Sequence, residues 1–249
     1  MKSNSKLSGS KLSGEIRRAA IIKAVQRIFA ERGFHGTTTR ELAAAAGVSE
    51  ALLFKHFPNK EALYSAMQLS CCSEQDQGKI DRLKSLEPSA STLVFLTQHM
   101  ISRILARDDE EALHNRLMLR SLTEDGEFAR QFLKGIPTEM NHMIERCLQA
   151  AIASGDAVDG PVGARLGGWF ASYLAAVLKF HSLPAKPVVE YGISRDKVQD
   201  QAVWFALRGM GLKEEAIKRY YDPQQRKSLR TSDILKGAEP SLLNRKRRG

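Results

Sequence analysis

The segment TTTRELAAAAGVSEALLFKHFPNK, residues 37–60, decides the fold of this chain. Thr38 and Glu41 have the spacing of a capping box at the start of one short helix, and Gly47 is placed to end that helix. Ser49 is placed to cap a second short helix directly after it. The spacing therefore predicts two helices joined by a tight turn.

The two helices are expected to pack as a helix-turn-helix, in which the second helix enters the major groove of DNA. Small residues at Ala43 and Gly47 would let the helices approach closely. The core between them would consist of Leu42, Val48, Leu53 and Phe57. The outer side of the second helix is then left to Glu50, Ala51, Phe54 and Lys55.

The outward residues have the chemistry of DNA contacts. Hydroxyls and free backbone N–H groups at the start of the first helix suit a phosphate, as does a lysine after the second. These phosphate candidates are Thr38, Thr39 and Lys60. Arg40 and Lys55 could reach guanine, and Glu50 could accept from N4 of cytosine. The alternative is an amphipathic hairpin whose charges only face water; the agreement of caps, turn and basic context favours DNA binding.

Positive charge is concentrated at the two ends of the chain. Residues 1–60 hold eleven Lys and Arg against four acids, and residues 213–249 hold eleven against five. The remaining residues, 61–212, carry a small net negative charge. This asymmetry favours a DNA-binding head on a body with another task. Basic residues before the motif could add phosphate contacts: Lys2, Lys6, Lys11, Arg17 and Arg18.

Almost every periodic stretch has helical spacing and no alternating-strand pattern is found, so we predict an all-α fold. After the motif, helices are expected from Asn59 towards Leu86 and then over 91–107, 110–123, 137–154, 161–181, 196–209 and 212–221. The predicted division is a disordered basic arm at 1–14, a three-helix DNA-binding domain at 15–62, a helical regulatory and dimerisation domain at 63–221, and a basic, disordered tail at 222–249.

The cysteines and the apolar runs indicate the cellular compartment. Cys71, Cys72 and Cys147 have neither metal-ligand spacing nor a plausible disulfide framework, which fits a reducing compartment. The first residues lead into no apolar signal region, and no run approaches the roughly 18 apolar residues of a membrane span. We therefore expect a cytoplasmic protein without metal, cofactor or membrane partner. Adjacent Cys71 and Cys72 are most simply packing residues, with thiol sensing as the alternative.

The segment from Arg17 to Leu63 resembles the DNA-binding domain of the TetR/AcrR family of bacterial transcriptional regulators. The matching positions are Ala20, Ala24, Phe29, Glu31-Arg32-Gly33-Phe34, Thr38-Thr39, Leu42-Ala43, Ala46-Gly47-Val48-Ser49, Leu53-Phe54-Lys55-His56-Phe57 and Asn59-Lys60-Glu61-Ala62-Leu63. The resemblance covers about a fifth of the chain and implies an all-helical homodimer, at the bacterial nucleoid, with a regulatory carboxy-terminal domain.

The resemblance also implies roles for single residues. Phosphates would be faced by Thr39, Phe54, His56 and Lys60. Bases or nearby backbone would be faced by Arg40, Glu50, Ala51 and Lys55, so that these residues, with Thr38 and Ser49, form the predicted DNA-binding set. The chain departs from the family at Phe54, where Tyr is frequent, and at Leu52, where Ser or Thr is frequent. Each departure removes a hydroxyl that could bond phosphate.

A stripe of small residues indicates close packing of two later helices. The stripe consists of Gly163, Gly167, Ala171 and Ala175, and a similar surface follows at Ala202, Ala206 and Gly209. Because the family's last two large helices form a four-helix dimer interface, we predict that these residues form it here. Packing inside one subunit is the alternative.

Residues suited to an adaptable apolar pocket with a few polar groups lie between these regions. They are His99, Met100, His114, Met118, Arg120, His142, Trp169 and Tyr173. Core packing is the alternative for each of them. The prediction is a dimeric, ligand-released repressor of a pseudo-palindromic duplex operator, with a DNA-binding adaptor for a protein partner as the alternative. No arrangement of nucleophile, base or metal ligands indicates an enzyme.

Overall fold

The structure is a computed structural model that describes residues 5–70, 75–106 and 109–224. Within these ranges all regular elements are helices, apart from one isolated β-bridge, so the predicted all-α fold is confirmed. None of the described helices is both long and apolar enough to cross a membrane.

The described ranges contain twelve helices. In chain order they are α1 (Ser5–Arg32), α2 (Thr39–Ala45), α3 (Glu50–His56), α4 (Lys60–Ser70), α5 (Gln75–Ser85), α6 (Ala90–Leu105), α7 (Asp109–Thr123), α8 (Glu127–Lys134), α9 (Ile136–Ala153), α10 (Ala164–His181), α11 (Arg195–Gly209) and α12 (Glu214–Tyr220).

After α3, the helices differ from the prediction in two places. The stretch expected to be one helix from Asn59 towards Leu86 contains α4 and α5, and the intervening residues, with Cys71 and Cys72, lie outside the described ranges. Helix α8 was not predicted, because its eight residues give little more than two turns. The stacked rings of Phe128 and Phe132, four residues apart, are the signal that could have revealed it.

The predicted disordered arm is wrong over most of its length, since α1 already begins at Ser5. Once a helix has been nucleated by the packed turns that follow, adding residues at its start costs little free energy, and Ser/Lys/Leu-rich sequence can continue it. Residues 1–4 and most of the predicted tail, residues 225–249, lie outside the described ranges.

The helices form two compact units that interleave along the chain. The first, which we call the head, contains α1–α4 together with α7 and α8; the second, the body, contains α5, α6 and α9–α12. Leu117 of α7 and Phe128 of α8 belong to the same buried core as Phe29 of α1. The predicted domain boundary at residue 62 divides the chain by sequence order. The two units are instead defined by which helices pack together, so the head also includes α7 and α8.

The body is built around α6, which packs against α9, α10, α11 and α12. The small-residue stripe faces this interior. Its buried members are Gly167, Ala171, Ala175, Ala202 and Ala206. A Cβ on Gly167 would come within 2.9 Å of Met210. For these five residues the predicted role in the dimer interface is corrected to packing inside one chain; Gly163 and Gly209 are exposed.

A short bridge ties the end of α9 to the turn between α11 and α12. Ala157 pairs with Leu212, the Val158 amide donates to the Gly211 carbonyl at 2.9 Å, and the Lys213 amide donates to the Asp156 carbonyl at 2.9 Å. Gly211 has φ of +93°, and a Cβ there would lie 2.6 Å from the Val158 carbonyl oxygen. Only glycine satisfies both the dihedral angle and this approach.

Gly211→Ala is expected to lower the free energy of unfolding by about 2 kcal/mol or more, through left-handed strain and the clash with backbone. Gly209→Ala is the matched control, since a Cβ there meets nothing within 4 Å. As alanine favours helix, the control should leave stability unchanged or raise it by up to about 1 kcal/mol. Urea unfolding of both variants tests this, and equal stabilities would contradict it.

Candidate nucleic-acid interface

The start of α2 is held by a complete capping box. The Thr38 amide donates to the Glu41 carboxylate at 2.9 Å, and the Glu41 amide donates to the Thr38 hydroxyl at 3.3 Å. The Arg32 guanidinium at the end of α1 is 2.6 Å from the same carboxylate. Hydrogen bonds from Thr38 and the charge of Arg32 lower the pKa of Glu41. The predicted capping box is confirmed, and it already uses the Thr38 hydroxyl.

The turn between α2 and α3 depends on Gly47. Its φ is +64°, a conformation that costs an L-residue about 1–2 kcal/mol. A Cβ on Gly47 would meet nothing within 4 Å, so the prediction that Gly47 allows close approach of the helices is wrong. Ala43, by contrast, is buried at the contact. The glycine is needed for the backbone, and the alanine for packing.

Helix α3 is fixed at its first turn and along its inner face. The Ser49 hydroxyl accepts from the Leu52 amide at 3.2 Å, which confirms the predicted cap. Leu53 and Phe57 are buried with Leu42. Val48 is partly buried against the same cluster. The predicted inner face therefore corresponds to the observed core.

Arg18 of α1 holds the end of α3. Its guanidinium donates to the His56 carbonyl at 2.6 Å and lies 4.2 Å from the centre of the Phe57 ring. A cation at a helix C-terminus is favourable because the last carbonyls carry partial negative charge. Arg18 was predicted to add to a basic arm, but in this structure its guanidinium holds the motif together.

The lysine that follows the motif is also used internally. The Lys60 ammonium donates to the Thr37 carbonyl at 2.5 Å and lies 4.4 Å from the centre of the Phe34 ring. These contacts join the start of α4 to the segment that precedes α2. A phosphate contact by Lys60 would have to be made in addition to them or in their place.

The outer side of the motif is exposed and basic. Arg40, Ala51, Phe54 and Lys55 are exposed, and His56 is half-buried. Within the part of the chain that the structure describes, the side chains of Arg40 and Lys55 make no hydrogen bond or ion pair. Their charges are therefore available to a ligand, and bidentate contact with guanine or with phosphate is the chemistry they support.

Glu50 is exposed but not free. The Thr39 hydroxyl donates to one of its carboxylate oxygens at 2.9 Å, which links the first turns of α2 and α3. The other oxygen remains available to accept from a base. Because Thr39 donates its only hydroxyl proton to Glu50, it could bond a phosphate through its hydroxyl only by releasing this contact.

The predicted pocket residues are divided between the two units. His114, Met118 and Arg120 lie on α7, in the head. Arg120 contacts the end of α1: its guanidinium donates to the Glu31 carbonyl at 3.4 Å, and a Cβ on Gly33 would lie 2.2 Å from it. Arg120 therefore supports the head, and its assignment to a ligand pocket between helices stays a prediction.

The other five belong to the body and have different surroundings. His142 is exposed and 4.0 Å from Glu139. Tyr173 is exposed beside the stacked ring of Trp169. His99 is buried and stacks on Phe95. Met100 is buried, and its sulfur accepts from the Ser172 hydroxyl at 3.1 Å.

A polar cluster, of which sequence reasoning singled out Met100 alone, lies where α6, α9 and α10 meet. It contains Met100, Asn141, Gly168 and Ser172. The Asn141 amide donates to the Pro137 carbonyl, and a Cβ on Gly168 would lie 2.4 Å from Asn141 Oδ1. That buried Oδ1 accepts no hydrogen bond from any described residue. An asparagine on an otherwise apolar helix face was the available signal.

Comparison with known proteins assigns residues 21–67 to the family model described as "Bacterial regulatory proteins, tetR family". The transcriptional regulator RutR of Escherichia coli is 45% identical over 51 residues, which are 20% of this chain and 24% of RutR. The chain therefore spans only about a quarter of the length of curated relatives that match this segment.

Solved structures resemble a larger part of the chain. AibR, in complex with isovaleryl coenzyme A and operator DNA, has a TM-score of 0.55 at 21% identity, covering 76% of this chain and 97% of AibR. FadR of Bacillus subtilis, in complex with stearoyl-CoA, has a TM-score of 0.50 at 16% identity, covering 77% and 98%. At these identities the likeness establishes the fold.

Two lysines of the motif are expected to behave differently. Lys60→Met should lower the free energy of unfolding by about 1–2 kcal/mol, because it removes a charged hydrogen bond and a cation–π contact. Lys55→Met is the matched control and should change stability by less than about 0.5 kcal/mol. Thermal and urea unfolding measure both; equal effects would contradict the assignment of Lys60 to a structural role.

Proposed function

We propose that this chain is a TetR-family regulator, a homodimeric repressor which a small molecule releases from a pseudo-palindromic operator; the match of residues 21–67 to the family model supports this proposal. One observation carries the DNA-binding part. The exposed side of α2 and α3 presents Arg40 and Lys55 without partners among the described residues, on a motif whose remaining polar groups are largely satisfied. Such a surface can exchange its hydrogen bonds to water for bonds to phosphate and base edges.

Within this proposal the residues divide by task. Arg40, Glu50 and Lys55 read base edges, with Ala51 in apolar contact beside them. Phe54 and His56 lie against the sugar–phosphate backbone, where Phe54 contributes contact but no hydrogen bond. Thr38, Ser49 and Lys60 act mainly by holding the helices at the angle that the groove requires. The basic start of α1 adds charge that favours any duplex, whatever its sequence.

Dimerisation in this proposal uses large exposed apolar residues, in place of the small-residue stripe. Leu166, Phe170, Tyr173 and Val177 recur at i, i+4, i+7 and i+11 on α10 and are exposed. Phe205 of α11 is 72% exposed. An apolar stripe of this size on two adjacent helices favours burial against a second copy. To read a pseudo-palindrome, the two α3 helices of such a dimer would have to lie about 34–36 Å apart, the spacing of successive major-groove half-sites.

Effector binding in this proposal centres on the polar cluster of Met100, Asn141 and Ser172. A buried acceptor without a donor is unfavourable, and a ligand donor would remove that cost. AibR and FadR, which share the fold, were solved with coenzyme A thioesters. Acyl-coenzyme A compounds are therefore the first effectors to test. A ligand that prefers a different spacing of the two heads would weaken operator binding by its differential affinity.

Selection of bound duplexes from a random library tests the DNA-binding part. The wild-type chain should enrich an inverted repeat, and the Glu50→Ala variant should enrich a motif that is relaxed at one base position per half-site. Glu215→Ala, an exposed acid on α12 of the body, is the matched control and should keep the wild-type motif. Enrichment of no inverted repeat by the wild-type chain would contradict the proposal.

Sedimentation tests the dimer. Phe170→Glu should raise the dimer dissociation constant about 100-fold or more, because a charge at the centre of an apolar interface is repeated by symmetry. Leu122→Glu, at an equally exposed leucine of α7, should leave the constant unchanged. A wild-type chain that remains monomeric, with Phe170 accessible, would support the alternative of an adaptor that uses this face for another protein.

A further inference from the structure

The connection between α10 and α11 exposes apolar side chains that the proposed function does not use. Val188, Val189, Tyr191 and Ile193, which we call the apolar loop, are all exposed, and Val188 is 67% exposed. Four large apolar residues within six positions are unusual for a surface loop. Exposed clusters of this kind mark interaction sites more often than single exposed residues do.

The loop is held at both ends, so its position relative to the helices is defined. The Val188 amide donates to the His181 carbonyl at 2.9 Å, which keeps the loop at the C-terminal end of α10. The Ser194 hydroxyl accepts from the Lys197 amide at 3.4 Å and caps α11. The exposed side chains therefore project from a defined place in the body.

A second apolar group lies at the opposite end of α10. Val158, Val162 and Leu166 are exposed there, and we call them the entry patch. Helix α10 has 18 residues and spans about 27 Å, so the loop and the entry patch of one copy are separated by the length of the helix. Neither group can cover the other within the same chain.

A second copy of the chain would bring the apolar loop and the entry patch together. In a two-fold dimer whose α10 helices run antiparallel, residues equally far from the stripe's midpoint face each other across the axis. The midpoint of the exposed stripe lies between Phe170 and Tyr173, so Leu166 of one copy lies opposite Val177 of the other. The C-terminal end of each α10, with its apolar loop, then lies beside the entry patch of the other copy.

The charges at the two places are complementary. Lys186 precedes the apolar loop and Glu190 lies within it, whereas Asp159 and Arg165 lie between the residues of the entry patch; all four are exposed. Among the described residues these four charges form no ion pair. The apolar loop and the entry patch each carry one acid and one base. Lys186 of one copy can therefore pair with Asp159 of the other, and Glu190 with Arg165, without contact between like charges.

We propose that the apolar loop of each copy docks on the entry patch of a second copy, adding two symmetry-related contacts at the ends of the α10 interface. This inference rests on the proposed dimer. It assigns the loop to self-association, and the same surface is then unavailable to another protein.

Cysteine cross-linking tests the docking. In a background with Cys71→Ser and Cys72→Ser, the pair Val162→Cys and Val189→Cys should form disulfide-linked dimers in high yield under mild oxidation. Cys147 can remain, because burial raises the pKa of its thiol to about 11 and keeps it unreactive. A disulfide confined to one copy, or dimers linked by Val189→Cys alone, would overturn the proposal.

Charge reversal gives an independent measurement on the intact chain. Asp159→Lys and Lys186→Asp should each raise the dimer dissociation constant about 2–5-fold, and the combined variant should return it towards the wild-type value. Additive weakening in the combined variant would overturn this pairing. Misfolding cannot imitate the rescue.

The two proposals can fail separately. If the wild-type chain sediments as a monomer, the proposed dimer is wrong. A dimer that Phe170→Glu dissociates, but in which Val189→Cys reacts with a maleimide as fast as in the monomer, leaves the dimer intact and overturns only the loop docking. That outcome would leave the apolar loop for a partner of another kind. Slower labelling in the dimer is the expected result.

Discussion

Burial of Leu42, Leu53 and Phe57 in one small core is the interaction on which the recognition surface depends. Helices α2 and α3 have seven residues each, and helices of this length are not stable in isolation. Their apolar residues are stabilised by packing on each other and on a cluster that also includes Phe29 of α1 and Leu63 of α4. The left-handed backbone at Gly47 sets the turn that makes this packing possible.

The polar residues around that core divide into those that hold the motif and those that face outward. Arg18, Arg32 and Lys60 have partners inside the head, at a helix end, a capping carboxylate and a backbone carbonyl. A basic count alone therefore overstates the charge available to DNA. What remains for the proposed recognition of DNA is a short exposed row that includes Arg40 and Lys55, presented on a surface whose orientation the other cations maintain.

In the body, small and large apolar residues lie on opposite faces of the same helices. Small residues of α10 and α11 face inward, where helices of the same chain approach closely, and large apolar residues of the same helices face solvent. A helix carries both faces because residues four apart share a side, while those two apart do not. Close packing within the chain and association between chains can therefore be encoded on one helix without competing.

The sequence by itself determined the all-α class, the capping box, the Ser49 cap, and the inward set of Leu42, Leu53 and Phe57, because caps and helical periodicity are local. Only the tertiary structure decided which partners the long side chains have. It gave Arg120 to the end of α1 and Lys60 to Thr37, and it turned the small-residue stripe inward. Those outcomes depend on which segments, distant in the chain, are brought together, and local spacing carries no information about that.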